Sequence, residues 1–269
     1  MATTVVKSIG TGGDYTTLQA WEDACPANLV TVDQIWQGQL KNQELTSAST
    51  LLTISGTTVD ATRYVELTTE AGASFRDNAS KATNALRYNA ANGAAIKMTG
   101  TAIGVSVAQN YTRISNIQML STSTSTSAQP TLYVNSTGIN CDVNSCIIEG
   151  YGRNSALKSV AAIKGNGAGQ PNRLRNCLVV QRSTDAAAIL AILSNGAEAY
   201  NCTFAATGAT LAVAFQTSSL TSIVKNCYVG GVTAVEDGTT ACTRTTSYSS
   251  SSSTGYTVVP FSTSTLTSA

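Results

Sequence analysis

Carboxylates are the first place to look for chemistry in this chain. A glycosidase needs two of them converging on one face, and a lyase needs acidic calcium ligands beside a basic residue. Of 15 Asp and Glu in 269 residues, the most regular stretch contains Asp142, Glu149, Asp185, Glu198, Glu236 and Asp237. Glu149 lies just past the last apolar position of one repeat and Glu198 just before the first apolar position of another, so the spacing predicts different corners and no convergent pair. Histidine is absent, which removes the commonest acid/base residue and excludes Ser-His-Asp and Cys-His arrangements. Cys141 and Cys146 stand five apart without a second close pair, a pattern that predicts packing rather than a metal site. Gly10, Gly12 and Gly13 precede a helical stretch, yet no Gly-Lys-Ser/Thr follows and no βαβ unit surrounds them, so they read as a tight turn and not a phosphate cradle. The expectation from these residues is no catalytic, cofactor-binding or metal site and no enzymatic activity.

Charge points the same way. With 16 Lys and Arg the net charge is +1, and charged residues are only 12% of the chain. There is no long-range field to gather nucleic acid or anionic lipid. Arg153, Arg173, Arg175, Arg182 and Arg244 lack the interleaved aromatics of a nucleic-acid groove and read as solvated coil edges. No apolar run approaches the roughly 20 residues that span a bilayer, and Met1 to Val6 carries no basic and apolar leader, so neither a membrane nor export by that route is expected. Asn-x-Ser/Thr triplets at Asn78, Asn110, Asn135 and Asn201 mean little without export. The STSTSTS run at 121–127 occurs once, whereas an ice-binding array needs Thr-x-Thr on every coil.

What positions these residues is an internal repeat. DVNSCIIEG from Asp142, RLRNCLVVQ from Arg173, EAYNCTFAA from Glu198 and IVKNCYVGG from Ile223 share one template, and RISNIQMLS from Arg113 is a fifth copy with Ile117 in place of cysteine. The first apolar position holds Ile114, Val143, Leu174, Ala199 and Val224; the last holds Met119, Ile148, Val179, Phe204 and Val229. The Cys or Ile position (Ile117, Cys146, Cys177, Cys202, Cys227) is two residues before the last apolar one, the strand period, so both face the core. It is three residues after the first, so Asn116, Ser145, Asn176, Asn201 and Asn226 must be bends, a role that suits Asn. These corners lie 29, 31, 25 and 25 residues apart, enough for a coil of two or three short strands. AIGVSVAQ, TLYVNS, AAIKG, AILAIL and LAVAF precede the successive copies and supply strands for a second sheet. Parallel stacking with the usual crossover chirality gives a single-stranded right-handed parallel β-helix, an all-β solenoid with a cysteine ladder inside.

The ends differ. GTGGDYTTLQAWEDACP reads as a turn and a short capping helix with Leu18, Trp21 and Cys25 on one face, Asp14 or Thr16 as N-cap and Pro26 near its end. VTVDQIWQ, TLLTISG and RYVELTTE alternate like strands. The division is one β-helix domain over 1–245, with an N-terminal strand and capping helix at 1–27, irregular first coils at 28–110 and regular coils at 111–245. A Ser/Thr-rich closing segment or tail follows at 246–269. All seven cysteines read as thiols.

The GTGGDYTTLQAWEDA opening followed by NC-type coils resembles the pectate-lyase-like superfamily of right-handed β-helices, above all its short members encoded by phages and prophages. The resemblance covers nearly the whole chain as architecture and implies a structural virion protein. A capsid decoration or cement protein, or another head or tail appendage, would contact the major capsid protein or other virion proteins as a homo-oligomer, a homotrimer above all. The rival it implies is a tailspike-like protein that binds or degrades a bacterial surface glycan, with Tyr151, Tyr200 and Tyr228 as outward candidates. Fold alone does not choose between them.

Overall fold

The corner explains the winding. Asn116, Ser145, Asn176, Asn201 and Asn226 have φ of 62°, 54°, 55°, 53° and 52°, the left-handed region that short polar side chains tolerate best among residues with a Cβ. Each turns the chain without removing the next side chain from the core. The backbone N–H of each of the first four donates to the carbonyl that ends the first strand of the next coil, as in Ser145 to Arg175 at 2.9 Å and Asn176 to Tyr200 at 3.0 Å. Corners therefore stack as regularly as strands.

The computed structural model describes residues 1–78, 87–122, 130–135 and 140–152. Beyond these it describes the strands and corners at 160–165, 172–183, 189–193, 197–207, 212–217, 223–230, 234–238, 243–245, 248–249 and 257–258. Among the described residues the strands form three all-parallel sheets of nine, nine and seven members. Sheet 1 runs up to each corner, with Arg113–Ser115, Asp142–Asn144, Asn172–Arg175, Ala197–Tyr200 and Ile223–Lys225. Sheet 2 leaves each corner, with Gln118–Ser121, Ile147–Gly152, Leu178–Ser183, Thr203–Thr207 and Tyr228–Gly230. Sheet 3 takes the apolar stretches between copies, including Val105–Val107, Leu132–Val134, Val160–Gly165, Ile189–Leu193 and Ala212–Thr217. The sequence predicts the corners, the register and the parallel β-helix seen here; the third sheet was only an allowance in the coil length.

Register makes the core. Ile114, Val143, Leu174, Ala199 and Val224 are directly paired neighbours in sheet 1, as are Met119, Ile148, Val179, Phe204 and Val229 in sheet 2. All ten are buried. At the corner, Cys146, Cys177, Cys202 and Cys227 continue the column above Ile117, and every one is a buried free thiol. Packing is not the whole reason for cysteine. The amides of Cys177 and Cys202 donate to the Sγ of the next coil's cysteine, each at 3.4 Å, while each thiol donates to the carbonyl two residues before it. A buried amide that the strand ladder does not reach is satisfied by sulfur.

The N-terminal end is closed by α1 (Leu18–Asp23), which buries Leu18, Trp21 and Glu22. Its N-cap is Thr17, whose side chain accepts from Ala20, and not Asp14 or Thr16; Asp14 instead accepts from the amide and hydroxyl of Ser8 and ties the Gly10–Gly13 turn. Cys25 is only half-buried. Gln19 and Glu22 accept from the amides of Thr53 and Ser55 at 2.8 Å each, so α1 covers the free edge of the Leu52–Ile54 strand of sheet 3. Trp21 fits because Gly38 stands opposite, where a Cβ would come within 2.5 Å of the indole. The strand-like reading of VTVDQIWQ is half corrected: Leu29–Val32 forms α2, stopped by Asp33 at φ 52°, and the strand begins at Gln34. The α2 turn wins because Asn28 caps Thr31 and because Val30 and Val32 face outward. In the Ser/Thr-rich end, Tyr248–Ser249 and Thr257–Val258 extend sheet 2.

Candidate functional site

Because the core rows are fixed, the alternate residues of each strand must face outward, and two sheets use that face differently. On sheet 1 the outward row reads Glu66, Arg113, Asp142, Arg173, Glu198 in direct register. Sign alternates coil by coil, so no like charges sit opposite one another in the in-register stack. The second outward row reads Ser115, Asn144, Arg175, Tyr200, Lys225. Arg173 Nε contacts Glu198 Oε2 at 3.0 Å, and Arg175 Nε contacts Asp142 Oδ1 at 3.0 Å. Tyr200 donates from its hydroxyl to Glu198, with Lys225 5.9 Å from the centre of its ring. Arg173, Arg175 and Lys225 are exposed.

At the rim of this face a cleft of about 260 Å³ lies among Ala61, Tyr111, Arg113, Asn140, Asp142 and Arg173. Tyr111 and Asn140 both have positive φ, 51° and 56°. Arg113 stacks on the Tyr64 ring, 3.5 Å from its centre.

Sheet 2 is partly covered. Two described segments of an excursion between coils, 70–78 with α3 (Phe75–Asn78) and 87–94, lie against its outer face; 79–86 are outside the described residues. Arg76 reaches Ser145, the amide of Asn89 donates to Gln118 at 2.9 Å, and the amide of Tyr88 donates to Glu149 at 3.3 Å. Glu149 is 5% exposed. Its Oε1 lies 3.0 Å from Arg182 Nε and 3.5 Å from Arg87 Nη2. The Arg182 approach is a charge contact without an aligned hydrogen bond. Burial pulls the Arg182 guanidinium below its ordinary value, against the opposing charge of Glu149. Tyr88 donates from its hydroxyl to Glu44 at 2.6 Å; burial, then Glu44, push its phenol far above the ordinary range. Both Glu149 oxygens are thus engaged, and the cluster clasps the excursion to the sheet.

The acidic candidates separate accordingly. Asp142 and Glu198 sit on sheet 1 and Glu149 on sheet 2, within strands rather than at corners. Glu236 and Asp237 belong to Ala234–Gly238 of sheet 3, and Asp185 lies outside the described residues, as do Arg153 and most of the STSTSTS run. Arg182 is not a solvated edge: it stands beside a buried carboxylate. Cys141 and Cys146 each donate to main-chain carbonyls, Gln109 and Ile114 or Asn144. The described residues hold no group of three or more Cys, Asp or Glu arranged to bind a metal. Tyr200 lies on sheet 1, Tyr151 and Tyr228 on sheet 2, all half-buried. The sequence did not point to Arg87, Tyr88, Tyr64 or Tyr111, because the excursion and the loops fall outside the repeat. The one available signal was a 25-residue interruption between otherwise similar strands.

No protein-family model and no curated protein matches the chain. Among solved structures it is similar to the pectin methylesterase of Aspergillus niger in two forms. The deglycosylated form shares 12% identity at a TM-score of 0.53 over 100% of this chain and 96% of that one; the penultimately deglycosylated form shares 12% at 0.52 over 97% and 92%. This likeness establishes the parallel β-helix fold. It also corrects the expectation of a chain without enzymatic activity, since the similar structures are those of an enzyme. The expectation rests on carboxylate spacing within the repeat, the absence of histidine and the lack of a metal pattern, and one fold carries enzymes and binding proteins alike.

Proposed function

We propose that the chain engages a polysaccharide along the outer face of sheet 1, in the manner of a glycan-recognising tailspike. The observation that carries this reading is the outward double row on consecutive coils, in which Arg173, Arg175 and Lys225 are exposed. Stacked strands are about 4.8 Å apart, so an extended polymer lying along the solenoid meets carboxylate, guanidinium, amide and phenol groups in succession from coil to coil. Such convergent donors and acceptors beside an aromatic body suit hydroxylated rings. The similar pectin methylesterase is named for a polymer of the same class.

Affinity electrophoresis of the full chain against bacterial capsular polysaccharides, lipopolysaccharide and pectin tests the proposal, run beside assays for new reducing ends, unsaturated sugars and released methanol. Retardation by at least one polymer, weakened when Arg173 and Arg175 are both replaced by Gln, is the expected result. No retardation and no product with any of them overturns it. The virion setting, with major capsid or tail proteins as partners and a trimer as the assembly, is proposed on the GTGGDYTTLQAWEDA opening; copurification with particles at a fixed copy number tests it.

A further inference from the structure

We propose that the rim cleft of sheet 1 is a subsite for an oxyanion, a carboxylate or phosphate group carried by the bound glycan, with Arg113 as its principal ligand. The inference rests on the polysaccharide reading and deepens it. Arg113 is flanked in register by Glu66 and Asp142, yet neither carboxylate takes it. Glu66 accepts from Gln37 at 2.7 Å, and Asp142 turns to Arg175. No ion pair to Arg113 is formed among the described residues; its guanidinium is held instead by the Tyr64 ring.

That arrangement fixes the plane of the fork while leaving its N–H donors uncommitted, the geometry that binds carboxylate and phosphate in two parallel hydrogen bonds. Arg173 stands in the next coil, with Tyr111 and Asn140 as further polar walls. The one carboxylate in the cleft, Asp142, is already neutralised by Arg175. Tyr111 at φ 51° adds an independent mark, because a bulky side chain in the left-handed region is costly and such strain gathers at ligand sites.

The test is calorimetric titration of the full chain with four probes: inorganic phosphate, glucuronate, glucose 6-phosphate and glucose. The expected result is saturable binding of at least one anionic probe and none of glucose over the same range. Arg113→Gln should weaken that binding about tenfold or more, the loss of a charge-assisted pair, whereas Lys97→Gln on sheet 2 should leave it within twofold. Which anion binds distinguishes a sugar acid from a phosphorylated sugar. Equal response to glucose, or an unchanged affinity in Arg113→Gln with the circular dichroism of the parent, overturns the subsite. If polysaccharide retardation persists while no anion binds, the subsite fails and the polysaccharide reading stands. If anions bind at Arg113 but no polymer is retarded, the polysaccharide reading fails and the cleft remains an anion site.

Discussion

Sheets 1 and 2 share one core and one set of corners, yet their outer faces are opposites. Sheet 1 shows alternating charge to water, with Arg173, Arg175 and Lys225 exposed, while sheet 2 carries Ile147 and Val180 buried beside the Glu149 carboxylate that holds the excursion. The same ion-pair chemistry has different consequences on each. Exposed pairs contribute about 0–1 kcal/mol, whereas removing one partner from a buried pair leaves an uncompensated charge. Sheet 2 therefore uses its polar groups to hold the excursion, whereas those of sheet 1 pair with one another at the solvent boundary.

The largest effect should come from the wall both faces share. Phe204→Ala, at a fully buried position, should cost about 3–5 kcal/mol in urea unfolding and loosen both faces alike; a loss under 1 kcal/mol would mean the column is not packed. Glu149→Ala should cost about 2 kcal/mol, below the figure for a fully buried pair because Arg87 is 46% exposed, and should open the excursion to limited proteolysis. Asp142→Ala on sheet 1 should change stability by under about 1 kcal/mol, and equal losses for the two would erase the contrast between the faces.

Corners should respond next. Asn176→Ala should cost about 1 kcal/mol, since alanine is disfavoured at φ 55°, and Asn176→Gly appreciably less. The thiols give a pH signature shared by both sheets. Hydrogen bonding to Cys177 together with burial pushes the Cys202 thiol up to about 12, and burial pushes Cys141 up to about 11. Their folded pKa values lie above the unfolded one, so their contribution is complete below about pH 8.5 and is lost as pH rises toward those values. Urea midpoints should fall between pH 9 and 11, and native protein at pH 8 should resist alkylation at these positions; rapid labelling would contradict the ladder.

The solenoid was legible because it is written locally and repeated: a left-handed Asn, a small apolar residue and a period of two identify the coil wherever they recur. The same reasoning placed Cys146, Cys177, Cys202 and Cys227 in one column. It failed where contacts join segments that do not repeat. Glu149 meets Tyr88 and Arg87 from 61 and 62 positions earlier in the chain, and Arg113 meets Tyr64 from the preceding coil. No periodicity encodes either meeting. The α2 turn was missed for a related reason, as Asn28 capping outweighs the strand propensity of Val30 and Val32 at an exposed end.

Carbodiimide labelling of carboxylates, read by mass spectrometry with and without a bound polysaccharide, tests most directly whether sheet 1 is the working face. Glu66, Asp142 and Glu198 should label in the free protein and become protected on binding, while Glu149 stays unlabelled in both states. Protection confined to sheet 2, or free labelling of Glu149 alongside unchanged sheet 1 carboxylates, would contradict the account.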